Sequence, residues 1–388
     1  MLRPPVSPNA DIIRLIDEGY EVEIWQDYLL VHHVPYVTPD RTVAYGTLVS
    51  ALSLEANQIV PPQTHVAYFI GQYPCARDGT SLKPKFEHGN AVELIPGLRV
   101  DFSFSHKPKD GYRDYHHKMS RYVEVIAEQA QAIDPQATAK TYRPIVQQPH
   151  ESVFHYLDTN STRAKIGSIA AKLKGRKVAI VGIGGTGSYV LDLVAKTLVG
   201  EVHLFDGDRF SQHNAFRSPG APSLEELGAG AFKVDYFGKI YGRMRREIHV
   251  HPYHISSANV GELAGMDFVF ICVDDGPSKK IVSEFLVAQD KTFIDVGLGV
   301  MEKHGKLFGV VRATTSAPGK RDHFAKLVSF AQMRDDVYNS NIQIAELNML
   351  NAAMAVIKWK KLWDFYHDVE GEVDSTYTIN TNQLQGDE

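Results

Sequence analysis

The stretch Gly182-Ile183-Gly184-Gly185-Thr186-Gly187-Ser188 constrains this chain more than any other. It follows the apolar run Val178-Ala179-Ile180-Val181 and precedes a helix-like segment. A strand, a glycine turn and a helix N-terminus aim unpaired backbone N–H groups at one point, which suits a nucleotide phosphate. Glycines permit both the sharp turn and the close approach of backbone to ligand. Two classes of protein use this arrangement: dinucleotide-binding oxidoreductases, and enzymes that adenylate a carboxylate with ATP.

The flanking pattern predicts how the chain is organised. With 388 residues it has room for two or three domains. We place a boundary in the 135–160 region, giving an α+β N-terminal domain over 1–150 and an α/β domain over 151–388. In the first, Tyr20 to Trp25, Tyr28 to Tyr36 and His65 to Ile70 have strand composition. Asp114 to Ile133 reads as a helix, with Met119, Tyr122, Val123, Ile126, Ala130 and Ile133 on one stripe and Pro135 beyond its end. In the second, strands at Lys177–Val181, Glu201–Phe205, Asp267–Val273, Thr292–Val296 and Leu307–Ala313 alternate with helices at 187–198, 232–248 and 277–288. A long amphipathic helix over 342–366 follows. Such alternation implies a mainly parallel sheet with ligands at the strands' carboxyl ends.

Composition removes several function classes. Lys plus Arg is 41 and Asp plus Glu is 46, a formal charge of −5, which argues against nucleic-acid binding driven by phosphate contacts. No apolar run is long enough for a membrane span, and the N-terminus lacks a secretory apolar region. Only Cys75 and Cys272 are present, so neither a disulfide framework nor a Cys-rich zinc site is expected. The 17 histidines are scattered, and the adjacent pairs His32-His33 and His116-His117 do not share a strand or helix face. The expected setting is cytoplasmic.

The residues after the glycine loop separate the two nucleotide classes. Asp206 ends the next strand, where a carboxylate can accept ribose hydroxyls in either class. Then come Asp208, the run His213-Asn214-Ala215-Phe216-Arg217, Lys233, and Asp274-Asp275 after an apolar strand. Breaking a triphosphate calls for fixed cations and a ligand for a hard metal; an NAD enzyme does not break its pyrophosphate. Arg217 and Lys233 supply cations and Asp274 a carboxylate. Each residue also has a plain structural reading: solvated acids at 206 and 208, a surface pair at Arg217, a helix-surface Lys233, and a helix cap at Asp275 beside Pro277.

The ordered set Gly182-x-Gly184-x-x-Gly187, Asp206-x-Asp208, Asn214-x-x-Arg217, Lys233, Asp274 resembles the ThiF-type adenylating enzymes, related to ubiquitin-activating enzymes and to activators of sulfur-carrier proteins. The resemblance covers about residues 160–370. It implies a Rossmann-like ATP-binding domain. Gly182, Gly184, Gly185 and Gly187 would line the phosphates, and Asp206 would bind ribose. Asp208 would help position Asn214 and Arg217, while Asn214, Arg217 and Lys233 would contact phosphates and Asp274 would hold Mg²⁺. It further implies a ubiquitin-like protein substrate, a conjugating-enzyme-like acceptor and a homodimer, with Arg163 the candidate for the arginine given to the partner subunit. The extra N-terminal domain makes the chain similar to bacterial members associated with ubiquitin-like systems. Two features depart from the pattern. The chain has a few more residues before Lys233 than is usual, and no residue from 273 to 388 is Cys, so the family's usual thioester-forming cysteine is missing there. Cys75, near Arg77 in a turn, is the remaining candidate acyl acceptor, because a nearby cation lowers a thiol pKa. Cys272 reads as a buried structural thiol. Adenylation of a peptide or small-molecule carboxylate, and ATP binding by a non-catalytic scaffold, remain as alternatives.

Overall fold

In the N-terminal unit the period-2 pattern and its turns build an antiparallel meander. The computed structural model describes residues 9–55, 58–82, 87–89, 91–146, 152–164, 166–330 and 342–387. Strands β1 (Glu21–Trp25), β2 (Tyr28–Val37), β3 (Val43–Ala51), β4 (Val66–Ile70), β5 (Glu87–Gly89) and β6 (Phe102–Ser105) form one sheet in the order β1-β2-β3-β4-β6-β5. Every neighbouring pair is antiparallel. Helices α1 (Ala10–Asp17) and α2 (Tyr115–Gln131) share its core: Leu15 from α1, Val31, Leu48, Phe69 and Phe104 from the sheet, and Met119, Tyr122 and Ile126 from α2. Asp114 caps α2 by accepting from the His117 N–H at 2.6 Å. The predicted stripe along α2 is buried, whereas Ile133 lies beyond the helix and is exposed. Within this core Lys118 is fully buried, its ammonium donating to Ser50 Oγ, Thr64 O and Val66 O.

The second unit is built on a sheet whose central strands are buried on both faces. Its strands are β7 (Lys177–Val181), β8 (Glu201–Phe205), β9 (Ile248–His251), β10 (Phe268–Ile271), β11 (Phe293–Lys303), β12 (Lys306–Ser316), β13 (Asp374–Thr378) and β14 (Gln383–Asp387). The sheet order is β9-β8-β7-β10-β11-β12-β13-β14. The first five strands are parallel and the last three return antiparallel. The parallel part has the Rossmann order 3-2-1-4-5, and its order reverses at β7 and β10. Helices α3 (Gly185–Ala195), α4 (Lys233–Tyr241), α5 (Gly276–Ala288) and α6 (Ala345–Leu362) cover the sheet. Val178 and Ile180 of β7 face a core with Val190 of α3 and Trp359 of α6; Ala179 and Val181 face the opposite core with Val282 and Leu286 of α5. The expected α/β class, mainly parallel and preceded by an α+β domain, is therefore the observed one.

Several elements differ from the sequence reading. The crossover helix starts at Gly185, so the second half of the glycine run lies inside α3. The helix expected over 232–248 ends at Tyr241, and Ile248–His251 is instead the edge strand β9. The sequence reading contains no counterpart of strands β3, β5, β6, β13 and β14 or of helix α1. The chain divides into Met1–Val146 with Tyr156–Ala164, and Gln147–His155 with Lys165–Glu388. Among the described residues no helix is long and apolar enough to cross a membrane.

Candidate active site

The glycines solve separate packing problems. Gly182 leaves β7 with φ +92°, a region that disfavours any side chain, and a Cβ there would lie 2.9 Å from the Cys272 backbone. A Cβ on Gly187 would lie 1.8 Å from Gly182 O, so the turn closes onto the helix only with glycine. Gly185 abuts the Asn348 side chain of α6. A Cβ on Gly184, by contrast, would meet nothing within 4 Å. Gly184, Gly185 and Thr186 line a cavity of about 930 Å³ at the carboxyl ends of the parallel strands. No side chain caps α3, so its first-turn N–H groups are available to a ligand, and the helix dipole favours an anion there.

Opposite the loop stands a charged cluster. Asp206, 7% exposed, accepts from the Ile183 N–H at 2.7 Å through Oδ2 and from the Asp208 N–H at 2.8 Å through Oδ1. It therefore ties the glycine loop to the following turn, a task the sequence did not reveal alongside the expected ribose contact. Lys233 opens α4 and is 7% exposed; its Nζ lies 2.6 Å from Asp208 Oδ2 and 3.7 Å from Asp206 Oδ1. Burial acts to raise the Asp208 carboxyl, but the hydrogen bond and charge of Lys233, with His254 and Arg217, hold it below its ordinary range. Lys233 itself is thus engaged with acids, not projecting freely.

Asn214 does not line the cavity. Its Oδ1 accepts from the Ser211 N–H and Oγ, both at 2.9 Å, closing a capping box, and its Nδ2 is buried without a partner. Arg217 does line the cavity, and its Nε is likewise buried without a partner. Of these two orphaned donors, the one on the cavity-lining Arg217 fits an acceptor bound in the cavity. Asp274 is exposed at the cavity and has no hydrogen bond or ion pair among the described residues. Its neighbour Asp275 caps α5, accepting from the Ser278 N–H at 2.8 Å with Pro277 in the first turn. One carboxylate free and the other committed suits a Mg²⁺ ion bound by a single acid plus phosphate oxygens.

Two proposed residues belong to the N-terminal unit and are not among the residues lining this cavity. Arg163 is exposed, 3.4 Å from Asp17. Cys75 is 3% exposed, and its Sγ lies 3.4 Å from Tyr73 O. Burial pushes its thiol up and Asp78 adds to that, the reverse of the lowering expected from Arg77. Cys272 is also pushed up, first by burial.

Sequence reasoning missed the cavity's far wall. Asp295 of β11 is fully buried; Arg312 Nη2 donates to its Oδ2 at 2.6 Å, and Lys279 Nζ lies 2.8 Å from Oδ1 in an ion pair poorly aligned as a hydrogen bond. Arg312 and Lys279 both line the cavity. Arg312 also donates to Thr314 Oγ1, which donates to Asp374 on β13. Asn348 was missed too. It is 1% exposed, accepts from Thr186 Oγ1 at 2.9 Å and donates to Arg217 O at 3.3 Å, fastening the glycine loop to the arginine segment. Only the alternation of strand residues and the polar positions within the long helix hinted at either.

A glycine-led helix N-terminus facing fixed cations at the reversal point of a parallel sheet defines a nucleoside-phosphate site. The ThiF family matches residues 157–357, and the chain belongs to that family. A second family, described as a domain of unknown function (DUF6791), matches residues 10–159. Ubiquitin-like modifier-activating enzyme 5 of Drosophila simulans is 27% identical over 128 residues, 29% of this chain and 30% of that protein. The adenylyltransferase and sulfurtransferase UBA4 of Eremothecium gossypii is 29% identical over 133 residues, 33% of this chain and 29% of that protein. The matches thus span under a third of each relative's length. A crystal structure of E. coli MccB with ATP is similar over 56% of this chain and 65% of that chain, with a TM-score of 0.45 and 19% identity.

Proposed function

We propose that the second unit uses ATP and Mg²⁺ to adenylate the C-terminal carboxylate of a ubiquitin-like or sulfur-carrier-like protein. The observation that carries this reading is the buried, partnerless Nε of Arg217, which lines the same cavity as the uncapped α3 terminus. A carboxylate oxygen of the substrate attacks the α-phosphorus, the bond from that phosphorus to the bridging oxygen breaks, and pyrophosphate departs. The α3 N–H groups, Arg217 and Lys233 stabilise charge that builds on the phosphate oxygens. Lys233 exchanges part of its pairing with Asp208 for the triphosphate. Asp274 would hold Mg²⁺, which would supply charge neutralisation for the departing pyrophosphate.

The relatives' names, a ubiquitin-like modifier-activating enzyme and an adenylyltransferase and sulfurtransferase, support the substrate class. With no Cys from 273 to 388, the acyl group passes to a nucleophile on a conjugating-enzyme-like partner. The reading includes a homodimer, checked by light scattering, and a cytoplasmic setting in which both cysteines stay free.

Exchange of labelled pyrophosphate into ATP tests the reaction. Exchange that depends on a protein ending in diglycine, and that falls on the order of 100-fold in Asp274→Asn while ATP still binds, is the expected result. Exchange driven by short peptides or small carboxylates alone moves the substrate to those classes. ATP binding without exchange in any arm overturns catalysis and leaves a nucleotide-binding scaffold.

A further inference from the structure

A second cluster of functional groups lies away from the cavity, on the β8–β9 pair. Glu201 and His203 are two residues apart on β8 and so share a face. His249 of β9 is the register partner of His203. One ligand atom from each of Glu201, His203 and His249 lies within 4.8 Å of the other two. None of the three lines the nucleotide cavity. The geometry points to a zinc site at Glu201, His203 and His249 that ties the edge strand β9 to β8.

Proton bookkeeping along the neighbouring side chains supports a cation there. Tyr253 OH donates to Glu262 Oε2 at 2.7 Å, so its single proton is committed. The Tyr253 oxygen, 3.0 Å from His251 Nδ1, must then accept from that nitrogen. A neutral His251 with its proton on Nδ1 offers a bare Nε2, and His203 Nδ1, 3.2 Å away, must donate to it. A neutral His203 then carries no proton on Nε2, which faces Glu201 Oε2 at 3.1 Å. Two lone pairs at that distance repel unless a cation lies between them, either a metal ion or the second ring proton of a cationic His203 paired with Glu201. A ligating histidine whose other nitrogen donates to a fixed acceptor is the usual second-layer arrangement around a metal.

The remaining contacts agree. His249 Nε2 is shielded from solvent and makes no aligned hydrogen bond, although Glu247 Oε2 lies 3.3 Å away. Lys177 Nζ holds the other Glu201 oxygen at 2.8 Å and orients the carboxylate. The His203 ring is fixed by stacking on His249 and His251, with centroids 4.6 and 5.4 Å apart. A tetrahedral zinc with bonds of about 2.1 Å sets its ligand atoms about 3.4 Å apart, so binding draws the His249 ring out of its stack on His203 to bring its nitrogen in. The fourth position is left to water. Two histidines and a carboxylate are borderline ligands that suit zinc and not magnesium or calcium.

The test uses the full chain without a histidine tag, stripped with EDTA and titrated calorimetrically with zinc chloride. One zinc per chain is expected. Zinc should also raise the thermal midpoint, and cobalt(II) should give a visible spectrum without sulfur charge transfer. His249→Ala and Glu201→Gln should each weaken binding by on the order of 100-fold, while His367→Gln, exposed elsewhere, leaves it unchanged. Glu201→Gln preserves shape and guards against misfolding of the histidine variant. Absence of stoichiometric binding at micromolar zinc, or undiminished binding in both variants, overturns the site.

Discussion

Replacing Gly187 by alanine inserts a methyl group where the turn after β7 closes onto α3. The new carbon would sit 1.8 Å from Gly182 O and 2.9 Å from Gly182 C, whereas real Cβ contacts stay above 3.0 Å. Relief requires about 1.2 Å of movement by the backbone, which cannot rotate away as a side chain would. Overpacking of this kind costs about 1–3 kcal/mol, or more where the backbone must shift. Against it stands the helix preference of alanine over glycine, about 1 kcal/mol. With the backbone clash at the top of that range, a net loss of about 2 kcal/mol follows, roughly 1 M in urea midpoint for a slope of about 2 kcal/mol/M. Gly184→Ala makes the opposite prediction: its Cβ meets nothing within 4 Å and projects at the cavity lined by Gly184. Stability should stay within about 1 kcal/mol, while ATP affinity falls at least about tenfold as the methyl occupies phosphate space. The readout is tryptophan fluorescence during urea unfolding in a Trp25→Phe background. That substitution leaves Trp359 and Trp363, both in the second unit, as the only tryptophans. Calorimetry gives the ATP affinity. A Gly187→Ala protein as stable as wild type, or a Gly184→Ala protein that binds ATP normally, refutes the packing argument.

Two further outcomes concern buried titratable groups. Burial lowers Lys118 to about 7, and the unfolded chain keeps its proton to about pH 10.4. Between those values the unfolded state binds more protons, so the N-terminal unit gains stability as pH rises from 7 toward 10. The urea midpoint reported by Trp25 should climb over that range, and Lys118→Met should abolish the climb; equal slopes would contradict it. Cys75 and Cys272, both shifted upward by burial, should resist iodoacetamide at pH 8 in the folded protein and label fully in urea. Rapid native labelling of Cys75, or an acyl mass on it after incubation with ATP and a diglycine-ending protein, would restore it as an acceptor.

The β7 strand and the glycine run were legible because local apolar runs and glycines encode them directly. The α3 boundary was misplaced because glycine is a poor helix former. Here the uncapped first turn is held by Asn348, 162 residues from Thr186. Strand β9 escaped notice because Ile248–His251 alternates two apolar residues with two histidines, and His203 meets His249 only through sheet register. Asp295 looked like one acid in an apolar strand. Its partners Lys279 and Arg312 arrive from a helix and from the next strand, and no spacing in the sequence announces such a meeting. The charged residues after the loop were legible as a set, but not that Asp206 would hold the Ile183 amide or that Asp208 would engage Lys233.

The interleaved linker bears on how this protein can be dissected. Residues 147–155 belong to the second unit and 156–164 to the first. Within the second unit His155 N–H donates to Met244 O at 2.9 Å and Arg246 N–H to Val153 O at 2.7 Å. Within the first, Leu157 N–H donates to Ile145 O at 2.9 Å. No single cut therefore yields both halves intact. A fragment beginning at 165 leaves Met244 O and the Arg246 N–H without these partners, and one ending at 146 leaves Ile145 O bare. Split-protein or domain-swap experiments on this chain need two overlapping fragments, each carrying residues 147–164, and not two abutting ones.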